Sequence, residues 1–285
     1  SWQLLFSELR NLKLSSARRL LVESIRGNDY NFTEIKLLKA FSLLAIPMVI
    51  EMTMESIFAN ADIFFVSKLG PDAVAVVGLT ESVMTIIYSI ALGLCMAAMA
   101  VVSRRTGEGN SDGANHAAFQ AIVAGLIFSA VLTLPGIIFS DDILRLMGAS
   151  DAALLQHSGY TKLMLGANVI VFLLFIINSI FRAAGDAAIT LRILILSNVL
   201  NIALCPIFIF GYLGAPAMGT EGAAVATVIS RGLGVVLQIY YLFAGKNRIR
   251  LVWSRLHVDW PIVSEIFKIS MGAIGQNLIA MSSWV

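Results

Sequence analysis

The chain has 285 residues, of which 58% are hydrophobic and only 13% carry a charge. About a quarter of the residues of a soluble domain are usually charged. This composition, with a mean hydropathy of +0.84, is therefore not that of a soluble domain and indicates a polytopic membrane protein. The net charge of +2 is too small to suggest a nucleic-acid partner.

The reactive residue types form no catalytic pattern. Cys95 and Cys205 lie inside apolar runs, which gives neither a disulfide framework nor a metal-ligand spacing. The histidines, His116, His157 and His257, lie at the edges of segments and form no cluster. No phosphate-binding loop, nucleophile elbow or zinc signature occurs. The sequence therefore predicts that the protein is not an enzyme and needs no cofactor or firmly bound metal.

The chain begins with a basic segment, residues 1–36, that contains no cleavable signal because no short apolar core precedes the first long one. Trp2, Leu5, Leu9 and Leu12 recur at helical spacing with basic residues between them. This pattern is compatible with a helix lying at the membrane surface. A poorly ordered cytoplasmic tail is the alternative.

Seven apolar segments follow, each long enough to provide the roughly 20 residues that a membrane-spanning helix needs. They lie near residues 40–66, 73–102, 116–140, 163–181, 191–211, 223–243 and 262–285. We interpret the last segment as truncated. A barrel is excluded because its alternating pattern is absent from these segments. The connection 141–162 resembles a short amphipathic helix lying along the outer surface.

The basic residues alternate between the two sides of the predicted bundle. They are concentrated before the first segment and in every second connection, at Arg10, Lys13, Arg18, Arg19, Arg26, Lys36, Lys39, Arg104, Arg105, Arg182, Arg192, Lys246, Arg248, Arg250 and Arg255. The remaining connections hold only Lys68, Arg145 and Lys162. The positive-inside rule then places the N-terminus in the cytoplasm.

The first apolar segment carries three acids on one side. At about 100° per residue, Glu55 lies roughly 40° and Asp62 roughly 20° from Glu51 around the helix. Pro47 precedes Glu51 by one turn on the same side, where it can bend the helix. The three acids therefore form a stripe along this helix.

This stripe is too costly to face lipid. A charged acid at the bilayer centre costs about 2.5–3.5 kcal/mol, whereas a leucine or isoleucine returns only about 0.3–0.6 kcal/mol. We therefore expect the acids to face other helices or a water-filled cavity, where they could hold a proton or a small cation. The alternative is that they are protonated or hydrogen-bonded structural groups.

Other polar residues lie at depth in the later segments. They are Glu81 on the second, Asn168 and Asn178 on the fourth, Asn198, Asn201 and Cys205 on the fifth, and Thr227 and Arg231 on the sixth. Arg231 is expected to pair with a carboxylate, and Glu81 is a candidate. For the asparagines and Thr227, hydrogen bonding between helices is the simpler explanation. The small-residue run 219–227 predicts close helix packing.

Four stretches of the chain together resemble the multidrug and toxic compound extrusion (MATE) family. The first is Pro47 followed by "ANADIFFVSKLGPDAVAVVGL", and the second is "LRLMGAS". The third is "FRAAGDAAI" ahead of "SNVLNIALCPIFIFG", and the fourth is "MGTEGAAVATVISR". They occur in the family's order and cover most of residues 40–245.

The resemblance implies an all-α fold of twelve membrane-spanning helices in two six-helix lobes around a central cavity. Residues 37–245 would form the first lobe, 246–261 a basic cytoplasmic linker, and 262–285 the start of the second lobe. It also implies export of small amphipathic or cationic compounds in exchange for H⁺ or Na⁺. The full-length protein would be a monomer in the lipid bilayer of a bacterial inner membrane.

The resemblance also implies a coupling site. Asp62 stands where the family has a first-helix acid implicated in coupling, and Thr227 falls near a threonine of that site. The fifth helix of the family commonly carries Asn-x-x-x-Asp; here Asn201 matches, but Cys205 replaces the acid. A Na⁺ ion could be held by Asp62 and Asn201, although a thiol is a poor ligand for it. Glu51 and Glu55 could supply the missing negative charge.

Two other functions remain open at this point. A flippase of the same superfamily would move a lipid-linked sugar, and a cavity lined by cationic residues would favour it. The acids on the first segment favour cationic cargo instead. A structural or enzymatic membrane subunit is the more remote alternative.

Overall fold

The computed structural model describes residues 22–23, 37–244, 248–252 and 256–282. Within these residues the regular structure is helical and includes no strand, as the sequence predicts. The helices are α1 Leu37–Ser67, α2 Pro71–Gly107, α3 Ser111–Ile138, α4 Ser140–Leu146, α5 Asp151–Gly166, α6 Asn168–Ala183, α7 Ala187–Phe210, α8 Thr220–Phe243 and α9 Trp260–Ser282. A 3-10 turn at Tyr212–Gly214 connects α7 with α8. The predicted surface helix near the N-terminus lies outside the described residues.

Six helical segments of the described chain are long and apolar enough to span a membrane. They are Phe41–Ser67, Pro71–Gly107, Ser111–Ile138, Asp151–Ala183, Ala187–Phe210 and Thr220–Phe243. These correspond in order to the first six predicted segments. The seventh predicted segment is also helical, as α9, but it is not among these six.

The fourth span begins earlier than the sequence suggested. Helices α5 and α6 follow each other within one candidate span, Asp151–Ala183, in which α5 packs on α2, α3 and α8, and only α4 is a separate short helix. The prediction of a surface helix over 141–162 was therefore wrong for most of that stretch. Its polar residues have partners on other helices: Thr161 is 2.8 Å from the Thr80 hydroxyl on α2, and His157 Nδ1 is 3.1 Å from Thr220 Oγ1 on α8.

The ends of α2 follow ordinary helix chemistry. Gly70 precedes the helix with a φ of 112°, a conformation that glycine adopts readily, and Pro71 occupies the first turn, where no backbone donor is needed. Asp72 lies in the first turn, and Arg104 and Arg105 lie in the last turn. Each charge has the sign that the helix dipole favours at its end.

Helix α2 lies at the centre of the bundle, packed against α3, α5, α6 and α9. On the α9 side, Gly93 approaches Ile274 so closely that a side chain at position 93 would clash with its backbone. The rings of Phe128 on α3 and Phe267 on α9 stack with their centres 4.7 Å apart. Helix α9 therefore packs directly on the first six spans.

Helix α1 lies at the edge of the bundle and packs mainly on α7, which in turn packs on α8. The predicted close packing of residues 219–227 is found here, because Gly222 lies against the carbonyl group of Phe208 on α7. Ala223, Ala224 and Ala226 are fully or almost fully buried beside it. This arrangement places α7 and α8 so that both can present side chains to the acids of α1.

Candidate ion-coupling site

Glu51, the first acid of α1, forms an ion pair with α6. Arg182 Nη1 donates a hydrogen bond of 2.7 Å to Glu51 Oε2. Glu51 is buried, and within the described chain its other oxygen, Oε1, accepts no hydrogen bond. Arg182 lies in the last turn of α6, so this pair ties α1 to the end of that helix.

Glu55, one turn further along α1, forms a second ion pair. Arg231 Nη2 on α8 donates a hydrogen bond of 3.0 Å to Glu55 Oε2. The guanidinium group also lies 4.7 Å from the ring centre of Phe58, a cation–π distance. The sequence correctly predicted that Arg231 pairs with an acid, but the candidate partner, Glu81, was wrong.

Asp62, the third acid, has a neutral hydrogen-bond partner. Cys205 Sγ on α7 donates a hydrogen bond of 3.1 Å to Asp62 Oδ1 and lies 3.5 Å from Asn201 Oδ1. Asn201 Nδ2 donates to Thr227 Oγ1 on α8 over 3.1 Å. We call Asp62, Cys205, Asn201 and Thr227 the Asp62 cluster. Three helices thus bring together the four residues that the resemblance associated with coupling.

Glu81 on α2 belongs to a neighbouring network. Its Oε1 accepts a hydrogen bond of 3.3 Å from the hydroxyl group of Tyr160 on α5. Glu81 also lies close enough to Asp62 and Arg231 to interact with both electrostatically. It is therefore an acid beside the Asp62 cluster without being one of its hydrogen-bonded members.

The remaining asparagines of the predicted network are not hydrogen-bonded to these acids in the described part of the chain. Gln238 Nε2 on α8 donates a hydrogen bond of 2.6 Å to Asn178 Oδ1 and one of 3.1 Å to the carbonyl oxygen of Leu174. Asn178 therefore joins α6 to α8. Asn198 is buried on α7, and its Nδ2 has no hydrogen-bond partner among the described residues.

Sequence reasoning missed two members of these networks. Arg182 was assigned to a connection because it follows the apolar run of the fourth segment, but it lies inside the last helical turn and reaches inward. Gln238 is fully buried within the sixth apolar segment, where a lone amide is the visible signal. Both residues could have been found as polar groups too costly to leave unpaired at depth.

The Asp62 cluster combines side-chain oxygens with a thiol. Na⁺, like other hard cations, prefers oxygen ligands. The cluster offers side-chain oxygens from Asp62, Asn201 and Thr227, but its fourth side chain, Cys205, is a thiol. Among the described residues, no three His, Cys, Asp or Glu side chains are grouped to hold a metal.

Together, the apolar spans and the paired or hydrogen-bonded acids between them are typical of a helical membrane protein of the transporter class. A sequence model of the MatE family matches residues 47–207, more than half of the chain. The chain therefore belongs to the MATE family.

Named relatives and solved structures agree with this assignment. The probable multidrug resistance protein YoeA of Bacillus subtilis is 28% identical over 249 residues, which cover 86% of this chain and 54% of YoeA. An FAD transporter of Shewanella oneidensis is 32% identical over 72% of this chain and 48% of its own length. An outward-facing multidrug resistance MATE transporter matches with a TM-score of 0.78 and 29% identity, covering 91% of this chain and 56% of that one. The chain spans about half the length of the relatives it matches.

Proposed function

We propose that the full-length protein is a secondary active exporter that exchanges amphipathic, cationic compounds for protons, and that Asp62 is the group that takes up the proton. The MATE family assignment and the drug-resistance names of the relatives support the transporter class. The observation that carries the coupling site is the contrast among the acids of α1. Only Asp62 has a neutral hydrogen-bond partner, whereas Glu51 and Glu55 are bonded to guanidinium groups.

Proton uptake would change the hydrogen bonding that joins α1 to α7. An ionised carboxylate can only accept hydrogen bonds, whereas a protonated one also donates. The Cys205 thiol donates to Asp62 in the arrangement described here. Once Asp62 carries a proton, this contact must reorganise, for example by donation from Asp62 to Asn201 Oδ1. A ligand that favours one of two packings shifts the population toward it, and the proton would act as that ligand.

Cys205 supports H⁺ over Na⁺ as the coupling ion. A thiol in place of a carboxylate at position 205 removes one negative charge and one carboxylate ligand from the cation site that the resemblance implies. The remaining oxygens belong to one acid and two neutral groups, Asn201 and Thr227. Glu51 and Glu55 do not compensate in this arrangement, because neither is hydrogen-bonded to a member of the Asp62 cluster and each is held by an arginine on another helix.

The wider setting is part of the same proposal. The full-length protein would have two six-helix lobes, act as a monomer, and lie in a bacterial inner membrane with its N-terminus in the cytoplasm. The half-length coverage of the relatives supports the two lobes, and the alternation of basic residues supports the cytoplasmic N-terminus.

Anionic cargo is the second candidate. Two arginines, Arg182 and Arg231, lie among the spans, and one relative is named as an FAD transporter, which carries a phosphate-containing compound. A lipid-linked sugar, the cargo of the flippase alternative, also carries phosphate. Both arginines are already paired with acids of α1, and for this reason we place cationic cargo first.

The test uses the full-length protein in proteoliposomes, with efflux of ethidium measured under an imposed pH gradient and, separately, a Na⁺ gradient. Faster efflux under the pH gradient alone is expected. Acceleration by Na⁺ alone would contradict proton coupling and leave the exporter intact. Acceleration by neither gradient would contradict the antiporter function.

A further inference from the structure

The Glu55–Arg231 ion pair offers one of its two charges to the outside of the lobe. The side chain of Glu55 is 33% exposed, whereas that of Arg231 is only 7% exposed. Arg231 is also covered by the ring of Phe58. A molecule approaching this face of α1 therefore meets the carboxylate first, with the guanidinium group behind it.

We infer that Glu55 is the acid that receives the positive group of the cargo, and that it does so separately from the proton site at Asp62. The inference rests on the proposed export function. Arg231 is a positioning residue in this arrangement, because it holds Glu55 through one oxygen, Oε2. The other carboxylate oxygen of Glu55 is then available to a cationic ligand.

The surroundings of Glu55 suit an amphipathic cation. Met52 is 71% exposed and lies about one turn before Glu55 on α1. Ser56 and Ala59 are also exposed, and neither adds a charge. Methionine adapts to ligands of different shapes because its side chain is flexible and polarisable. A ligand could therefore place its charge on Glu55 and its apolar part along this surface.

The two acids are too far apart to share one ligand atom. Asp62 follows Glu55 by seven residues, which is roughly 10 Å along a helix at 1.5 Å per residue. A cation on Glu55 therefore leaves Asp62 free to bind or release a proton. Cargo binding at Glu55 and proton uptake at Asp62 would then be coupled through a movement of α1 and through the electrostatic field between the two acids. The two ligands would not displace each other from one site.

Several charged or titratable groups face this region and enter any pH dependence. They are Glu51 and Asp62 on α1, Glu81 and Tyr88 on α2, Tyr160 on α5, Arg182 on α6, Cys205 on α7 and Arg231 on α8. With two arginines, Arg182 and Arg231, among four acids counting Glu55, the region keeps an excess of acids, and the field favours a positively charged ligand. The anionic alternative would require Glu55 to leave Arg231 first.

The test compares two fluorescent dyes that differ in one group, a cationic rhodamine ester and its free acid. Their affinities for the purified full-length protein are measured by fluorescence anisotropy across a pH series. The unmodified protein should bind the ester more tightly. Glu55→Gln should weaken ester binding about tenfold, the value of one charge-assisted contact, and should keep its pH dependence. Asp62→Asn should remove the pH dependence and hold the affinity at the value that the unmodified protein shows at low pH, because the amide is neutral like a protonated acid.

Controls separate recognition from folding. Glu108→Gln removes an acid from an exposed ion pair with Arg104 and should leave the affinities for the ester and for the free acid unchanged. The double variant Glu55→Gln/Arg231→Gln leaves no unpaired charge and should show the same tenfold loss, which addresses misfolding of the single variant. Thermal unfolding confirms that each variant is folded.

The inference is overturned if folded Glu55→Gln and the double variant both bind the ester as the unmodified protein does. It is also overturned if Glu55→Gln binds the free acid more tightly with no loss of ester binding, because Arg231 would then be an anion receptor. These are binding measurements. A failure of gradient-driven efflux would contradict the proposed function without changing their outcome.

Discussion

The two parts of the acidic stripe on α1 use the same residue type in opposite ways. In the first part, Glu51 and Glu55 are bonded to arginines from α6 and α8. In the second part, Asp62 is bonded to a thiol in a network of neutral groups. An opposite charge nearby favours the charged form of an acid, whereas a neutral donor does so less strongly. The hydrogen-bond partner therefore decides whether an acid between the helices stays a fixed charge or can take up a proton.

The comparison also changes what a mutation at each acid should do. Removing one partner of a buried ion pair leaves the other charge uncompensated, which is strongly destabilising. Asp62 is hydrogen-bonded to a thiol and not to a guanidinium group, so removing its charge leaves no arginine unpaired. Loss of stability and loss of coupling should therefore separate along α1.

The largest effect is expected at Asp62. Asp62→Asn should abolish the acceleration of ethidium efflux by a pH gradient in proteoliposomes, because an amide cannot take up the proton. The variant should remain folded, since Asn can still accept the hydrogen bond from Cys205. Asp142→Asn, at an exposed position of α4, is the matched control and should transport normally. Persistent proton-driven efflux in Asp62→Asn would remove the distinction between the two parts of the stripe.

Breaking the first ion pair should mainly affect stability. Glu51→Gln leaves Arg182 without its counter-charge and should lower the free energy of unfolding by about 3–5 kcal/mol. The double variant Glu51→Gln/Arg182→Gln should recover much of this loss. Denaturant unfolding in detergent provides the measurement. Glu108→Gln, in an exposed pair, should cost less than about 1 kcal/mol. An equal effect of the two single variants would show that the Glu51 pair is not structural.

A third change tests whether the α7–α8 contact holds the partners of α1 in place. Gly222→Ala would put a methyl group into the backbone of Phe208 and Ile209. Overpacking of this kind typically costs about 1–3 kcal/mol. Thermal unfolding should show the loss, and Gly78→Ala, where no atom lies within 4 Å of the added carbon, should show none. Equal melting temperatures for both variants would mean that this contact is adjustable.

The smallest expected change would sharpen the assignment of the coupling ion. Cys205→Asp adds a second acid to the Asp62 cluster and should strengthen Na⁺ binding about tenfold, because charge count tunes cation affinity. Efflux driven by a Na⁺ gradient is the measurement. Cys205→Ser keeps a neutral donor of similar shape and should remain proton-driven. A Na⁺ response in the unmodified protein equal to that of Cys205→Asp would contradict the role given to the thiol.

Much of the architecture could be predicted from the sequence, because a membrane imposes simple rules on length and polarity. The first six spans follow from apolar runs. The error at residues 151–162 arose because polar side chains such as Thr161 and His157 suggested a surface position. Their hydroxyl and imidazole groups instead have partners on α2 and α8, which no local pattern reveals.

The sequence by itself determined that the acids of α1 share one side and must avoid lipid, because helical spacing and the cost of burying charge depend only on the order of residues. Only the tertiary structure decided which partner each acid has: Arg182 for Glu51, Arg231 for Glu55, and Cys205 for Asp62. Those pairings join residues more than a hundred positions apart. They depend on how α1 lies against α6, α7 and α8, which is set by packing across the whole bundle.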